Sequence, residues 1–196
     1  MSYKNILAVY QLANVADKAD GKAWYPTAYS VACTLADQYN VSPVVAAGVI
    51  AALSPRNKWE RNITDAENML RVHSVDPDSV KSVKVCTFGT NKAKAVRILQ
   101  ENPETEPDVC AILSGPKLQE FFSCIVGNSK EVCVDGHAYS IWAGDRITLA
   151  NVPSIGKKLR AQIKSDYVKA AAIVGIKPSE IQAVTWCAWR RIHGVN

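Results

Sequence analysis

Residues 113–144 read LSGPKLQEFFSCIVGNSKEVCVDGHAYSIWAG, and the reading of this stretch decides the fold. Gly115-Pro116 puts proline at the first position of a helix, where its missing N–H is no loss. That helix runs through Phe121, Phe122 and Ile125 to a turn at Gly127-Asn128-Ser129, so Lys117 falls in its first turn. A helix of about ten residues climbs roughly 15 Å, and the extended run from Lys130 to Val134 descends about 16 Å. The two displacements nearly cancel, which predicts that Asp135 returns beside Lys117 and caps a second helix, GHAYSIWAG. A lysine at a helix N-terminus meets a positive dipole that disfavours its ammonium form, and a neighbouring carboxylate takes or returns a proton. Such a pair has the parts of Schiff-base chemistry. On spacing alone, the reading of Asp135 as a simple N-cap and Lys117 as a surface lysine is favoured.

Outward from this stretch the punctuation is helical. Ser42-Pro43 opens VVAAGVIAAL, Thr90-Asn91 opens KAKAVRIL, and Lys177-Pro178-Ser179-Glu180 opens IQAVTWCAWRRIHG, each with a proline or capping side chain at its start. Leu159, Ile163, Tyr167, Ala170 and Val174 recur at spacings of four and three, the mark of one helix face. VKVCTF and KEVCV are the only short strand candidates. The class expected is all-α, with ten or so helices. VVAAGVIAAL is apolar all round and belongs at the centre of a core; it runs straight into the polar, basic SPRNKWERN, a loop well placed for function.

The chain has 196 residues, 48% hydrophobic and 21% charged, the size of one large domain or two small lobes. This composition excludes disordered and collagen-like chains. No apolar run approaches the ~18 residues of a spanning helix, and the N-terminal stretch lacks a signal-peptide core, so no membrane association and a cytoplasmic location are expected. The six cysteines form no Cys-x-x-Cys pair and read as core thiols, so neither a metal nor an iron–sulfur cluster is expected. Net charge is +5. From Ile155 onward eight bases (Lys157, Lys158, Arg160, Lys164, Lys169, Lys177, Arg190, Arg191) face only Asp166 and Glu180, a basic segment that suits a polyanion such as nucleic acid.

Val134-Asp135-Gly136-His137, with Lys117 18 positions before Asp135, resembles the helix-hairpin-helix DNA glycosylases of the endonuclease III and oxoguanine glycosylase superfamily. There a hairpin of the form LPGVGxK is followed by VDTH or VDVH. Residues 50–57, IAALSPRN, continuing to Asn62 and Asp65-Ala66, resemble that family's buried helix ending in LLSAQATD. Residues 89–95, GTNKAKA, resemble its GLYNSKAENI block. The resemblance covers roughly residues 42 to 147. Three departures stand out: Leu113-Ser114 replaces the first hairpin glycine and the valine, Gly136 stands for threonine or valine, and the four-cysteine cluster motif is absent. The small, cluster-free form is similar to what a bacteriophage would encode.

The resemblance implies a two-lobed helical fold. Residues 42–147 would form the glycosylase-like core, while helices in 1–41 and the basic helices of 148–196 would build the second lobe. It implies a monomeric DNA glycosylase, without cofactor, that flips and excises a damaged or modified base, with AP-lyase activity if Lys117 is the nucleophile and Asp135 steadies the sugar cation. If Lys117 is misplaced, Asp135 would activate water instead. Arg56 and Asn57 are then wedge candidates, and Lys58, Gly115, His137, Lys157 and Lys158 are DNA contacts. Trp59, Tyr139 and Trp142 would line a base pocket, or serve equally as packing residues. Two alternatives stay open: a transferase on the same fold that elaborates modified pyrimidines in phage DNA, and a non-catalytic DNA-binding or inhibitory protein.

Overall fold

In the computed structural model, which describes residues 2–194, the chain is all-α: ten α-helices and one short 3-10 helix, with no strand among the described residues. The helices are α1 (Tyr3–Leu12), α2 (Val15–Tyr39), α3 (Pro43–Leu53), α4 (Trp59–Val75), α5 (Gly89–Glu101), α6 (Glu106–Leu113), α7 (Pro116–Ile125), α8 (Gly136–Ala143), α9 (Lys157–Val174) and α10 (Pro178–His193), with the 3-10 turn at Pro77–Ser82. The strand candidates at 83–88 and 130–134 are irregular segments between helices. None of the helices among the described residues is long and apolar enough to cross a membrane.

The helices form two compact units, residues 27–126 and residues 1–26 with 127–196. One change of unit falls at Pro26, inside α2, where the ring removes an amide donor from the helical ladder. The division does not follow the expected boundaries at 41/42 and 147/148. Residues 127–147 group with the terminal helices because α8 lays its buried Ala138, Tyr139, Ile141 and Trp142 against α1, α9 and α10.

In the unit of residues 27–126, α3 is the central element. Ser42 caps it, accepting from the Val45 N–H at 3.2 Å, and Pro43 occupies its first turn. Every residue from Val45 to Leu53 is buried, against α4, α5, α6 and α7. An all-apolar helix is stable only when it is surrounded in this way.

The other unit is built on Ile6, Val9, Ile141, Trp142, Ile163, Tyr167, Ile181, Val184 and Trp189. Its close point is between α2 and α10, where a Cβ on Gly21 would stand 2.4 Å from the Val184 Cα; only glycine permits that approach. Asp17, near the start of α2, binds Arg191 of α10 at 2.7 Å and exchanges capping bonds with Asn14.

Candidate active site

Asp135 is where the sequence places it, at the N-cap of α8. Its Oδ1 accepts from the Ala138 N–H at 2.8 Å, and the residue is half-buried. Accepting that bond satisfies an otherwise orphaned amide and sets the charge at the positive end of the helix. The preceding segment is tied down from α9: Arg160 donates from Nη1 to the Val134 carbonyl at 2.9 Å, and Lys164 pairs with Glu131 at 2.7 Å. Beneath α8 lies Tyr167, fully buried, its hydroxyl 3.4 Å from the Ala138 carbonyl it donates to. Burial first, and then the Asp135 charge, push the Tyr167 phenol well above its ordinary range, against the lowering effect of Thr185. Tyr167 thus supports the first turn of α8 through the Ala138 carbonyl.

Two of the expected pocket aromatics are core side chains of this unit. Tyr139 and Trp142 are 6% and 2% exposed, their rings 5.9 Å apart, and the Trp142 indole donates to Asp166 at 2.7 Å. Trp59, half-buried in the first turn of α4, belongs to the other unit. His137 is half-buried in the first turn of α8.

An irregular strap, residues 145–156, passes over the start of α8. Ile147, Val152 and Ile155 anchor it to the core, while Leu149 stays 62% exposed. A Cβ on Gly136 would stand 2.6 Å from the Leu149 Cδ2 and 3.4 Å from the Val152 Cγ2. The strap thus accounts for glycine at the position beside Asp135. Sequence reasoning missed the strap, although Gly136, in place of a larger residue, was its one signal.

The basic C-terminal segment is largely occupied within its own unit. Of its eight bases, Arg160, Lys164 and Arg191 bind as described, Lys169 lies 4.0 Å from the Tyr3 ring centroid and Arg190 4.4 Å from that of Trp186. Lys157 and Lys158 stand exposed in the first turn of α9. Lys169, Lys177 and Arg191 are exposed as well, whereas Arg160, Lys164 and Arg190 are half-buried.

In the unit of residues 27–126, Lys117 is exposed in the first turn of α7, with Gly115 at the N-cap and Pro116 following. Ser114 before them takes a left-handed backbone, φ +49°, as the C-cap that ends α6. Lys117 and Asp135 thus fall in different units. The loop after α3 carries Arg56 and Lys58 exposed. Asn57 is engaged inward, its amide donating to Asp65 at 3.0 Å, while its Oδ1 is buried with no hydrogen-bond partner among the described residues. A shallow hollow in the same unit, lined by Asn40, Val41, Ser42, Asn102, Pro103 and Glu104, holds none of the expected site residues.

The family model described as "Family of unknown function (DUF7178)" matches residues 1–193, and the chain belongs to that family. No curated protein and no solved structure matches it.

Proposed function

We propose that this family member is a DNA glycosylase of the helix-hairpin-helix kind, which turns a damaged or modified base out of the duplex and breaks its glycosidic bond. The observation that carries the reading is Asp135: a carboxylate held at the N-terminus of α8 by the Ala138 N–H, on a segment clamped by Arg160 at the carbonyl just before it. A charge fixed in this way needs no reorganisation when the sugar becomes cationic.

Base release breaks the C1′–N bond, and the electron pair leaves with the base, which takes up a proton. The sugar C1′ carries the positive charge, and the Asp135 carboxylate stabilises it. Water then forms the new C1′–O bond as Asp135 accepts its proton. In the bifunctional form the Lys117 amine takes the place of water and loses a proton as it forms the C1′–N bond; the sugar ring then opens by breaking C1′–O4′ to leave a Schiff base, and loss of a C2′ proton with cleavage of the C3′–O bond completes the β-elimination. Base recognition outside the stack is required in either form, since the bond is inaccessible within a duplex.

Mass spectrometry of duplex DNAs treated with the protein, including DNAs rich in modified pyrimidines, tests this directly. A free base in the supernatant is the expected product. A nucleoside of altered mass with its base still attached marks a transferase instead, and binding with neither product marks a non-catalytic DNA-binding protein. Borohydride capture of a protein–DNA adduct separates the lysine from the water mechanism.

A further inference from the structure

Asp65 of α4 is 2% exposed, and two loops meet on it. Its Oδ2 accepts from the Asn57 side-chain amide at 3.0 Å and from the Cys86 backbone N–H at 2.7 Å, while its Oδ1 accepts from Arg61 Nε at 3.1 Å. Asn57 lies in the loop between α3 and α4, and Cys86 in the segment leading into α5. Thr87 adds a second tie between the same loops, donating to the Pro55 carbonyl at 3.0 Å.

What the two loops present together is Arg56 and Phe88. The Arg56 guanidinium lies over the Phe88 ring, 5.0 Å from its centroid, and Phe88 is 49% exposed. Arg56 has φ +56°, a left-handed backbone that disfavours a long L side chain and persists only where its surroundings over-determine it. Asp65 contributes to that constraint through Asn57, beside the turn closed by the Asn57 N–H on the Ser54 carbonyl at 3.2 Å. One carboxylate oxygen holds a donor from each loop, and the other holds a guanidinium. An asparagine cannot do the same, because whichever way its amide is turned an NH2 faces a donor.

We propose that Asp65 is a positioning residue: its buried carboxylate locks the two loops so that Arg56, steadied on the Phe88 ring, meets the DNA duplex already in place to unstack a base. The inference rests on the reading of this chain as a base-flipping DNA enzyme with Arg56 as its wedge. A carboxylate that only stabilised the fold would act on every property of the protein alike, whereas Asp65 acts through Arg56.

The test is a double-mutant cycle on the full chain, read by the fluorescence of 2-aminopurine in a short duplex, which rises on unstacking, with DNA affinity and Tm measured alongside. Asp65→Asn and Arg56→Ala are each expected to reduce the unstacking signal roughly tenfold with a smaller change in affinity, the first on the scale of a donor that loses its buried acceptor and the second because the wedge itself is removed. The double variant should be no worse than Arg56→Ala, because coupled residues are non-additive. Wild-type unstacking by Asp65→Asn, or a further full loss in the double variant, overturns the inference. Should Asp65→Asn not fold, Asn57→Ala takes its place in the cycle, since it cuts the loop tie and leaves the carboxylate with Arg61 and Cys86. If the wild type does not unstack the duplex, or Arg56→Ala unstacks it fully, the wedge reading fails and the inference falls with it; base release, assayed separately, reports on Asp135.

Discussion

Arg160 Nη1 holds the Val134 carbonyl at 2.9 Å, one residue before the carboxylate of Asp135. A planar guanidinium reaching from α9 fixes the end of the extended segment, so the position of Asp135 depends on a side chain 25 positions further along the chain. Arg160→Leu should remove that hydrogen bond and cost about 1–3 kcal/mol, seen as a lower Tm. Base release should fall further than the loss of folded protein explains.

The contact between Gly136 and Leu149 makes a second prediction. Gly136→Val drives a side chain into Leu149, whose far end is flexible, and into Val152 on the anchored part of the strap. Overpacking of this kind costs about 1–3 kcal/mol. Leu149→Ala should recover much of it in the double variant, which thermal melts of the four proteins will show.

Asp17 and Arg191 set part of the acid response. The Arg191 hydrogen bonds, with help from the Asn14 N–H, hold the Asp17 carboxyl below the ordinary carboxylate range, against the opposing effect of burial. A lowered folded-state value means that this stabilisation is complete above the unfolded value of about 3.9 and is lost as pH falls through the folded value. Asp17→Asn should therefore lower Tm by several degrees at neutral pH and flatten the acid limb of the stability profile, as a melt series from pH 7 to pH 2 will show.

DNA binding should follow the exposed charges rather than the sequence total. Lys157→Glu with Lys158→Glu should weaken all sequences alike and reduce the slope of log affinity against log salt by about two. Arg190, half-buried over Trp186, should contribute little to that slope when replaced by glutamine.

Much of the fold was legible because its signals are local. Ser42-Pro43 caps and starts α3, the unbroken apolar run of that helix predicts its burial, and the Leu159-to-Val174 periodicity marks the inward face of α9. The cap at Asp135 and the proline start at Pro116 were legible for the same reason. What stayed hidden depends on partners distant in sequence. Nothing local says that Arg160 and Lys164 turn inward to Val134 and Glu131, and these two bases therefore read as more open than they are. Tyr139 and Trp142 read as pocket or core with equal ease until α1, α9 and α10 were seen to close over them. Asp65 was legible only as part of the block that resembles LLSAQATD, and only the fold brings Asn57 and Cys86 onto its carboxylate.

The central claim is that Asp135 performs chemistry, and Asp135→Asn tests it most directly, because asparagine keeps the acceptor for the Ala138 N–H and removes the charge. The measurement is free-base release from duplex DNA at saturating protein, wild type against variant, with DNA affinity and Tm recorded on the same preparations. Loss of a preorganised charge from the transition state predicts a fall of about 100-fold or more, with DNA binding retained. Base release at the wild-type rate from a folded, DNA-binding Asp135→Asn protein would contradict the account and leave Asp135 a helix cap alone.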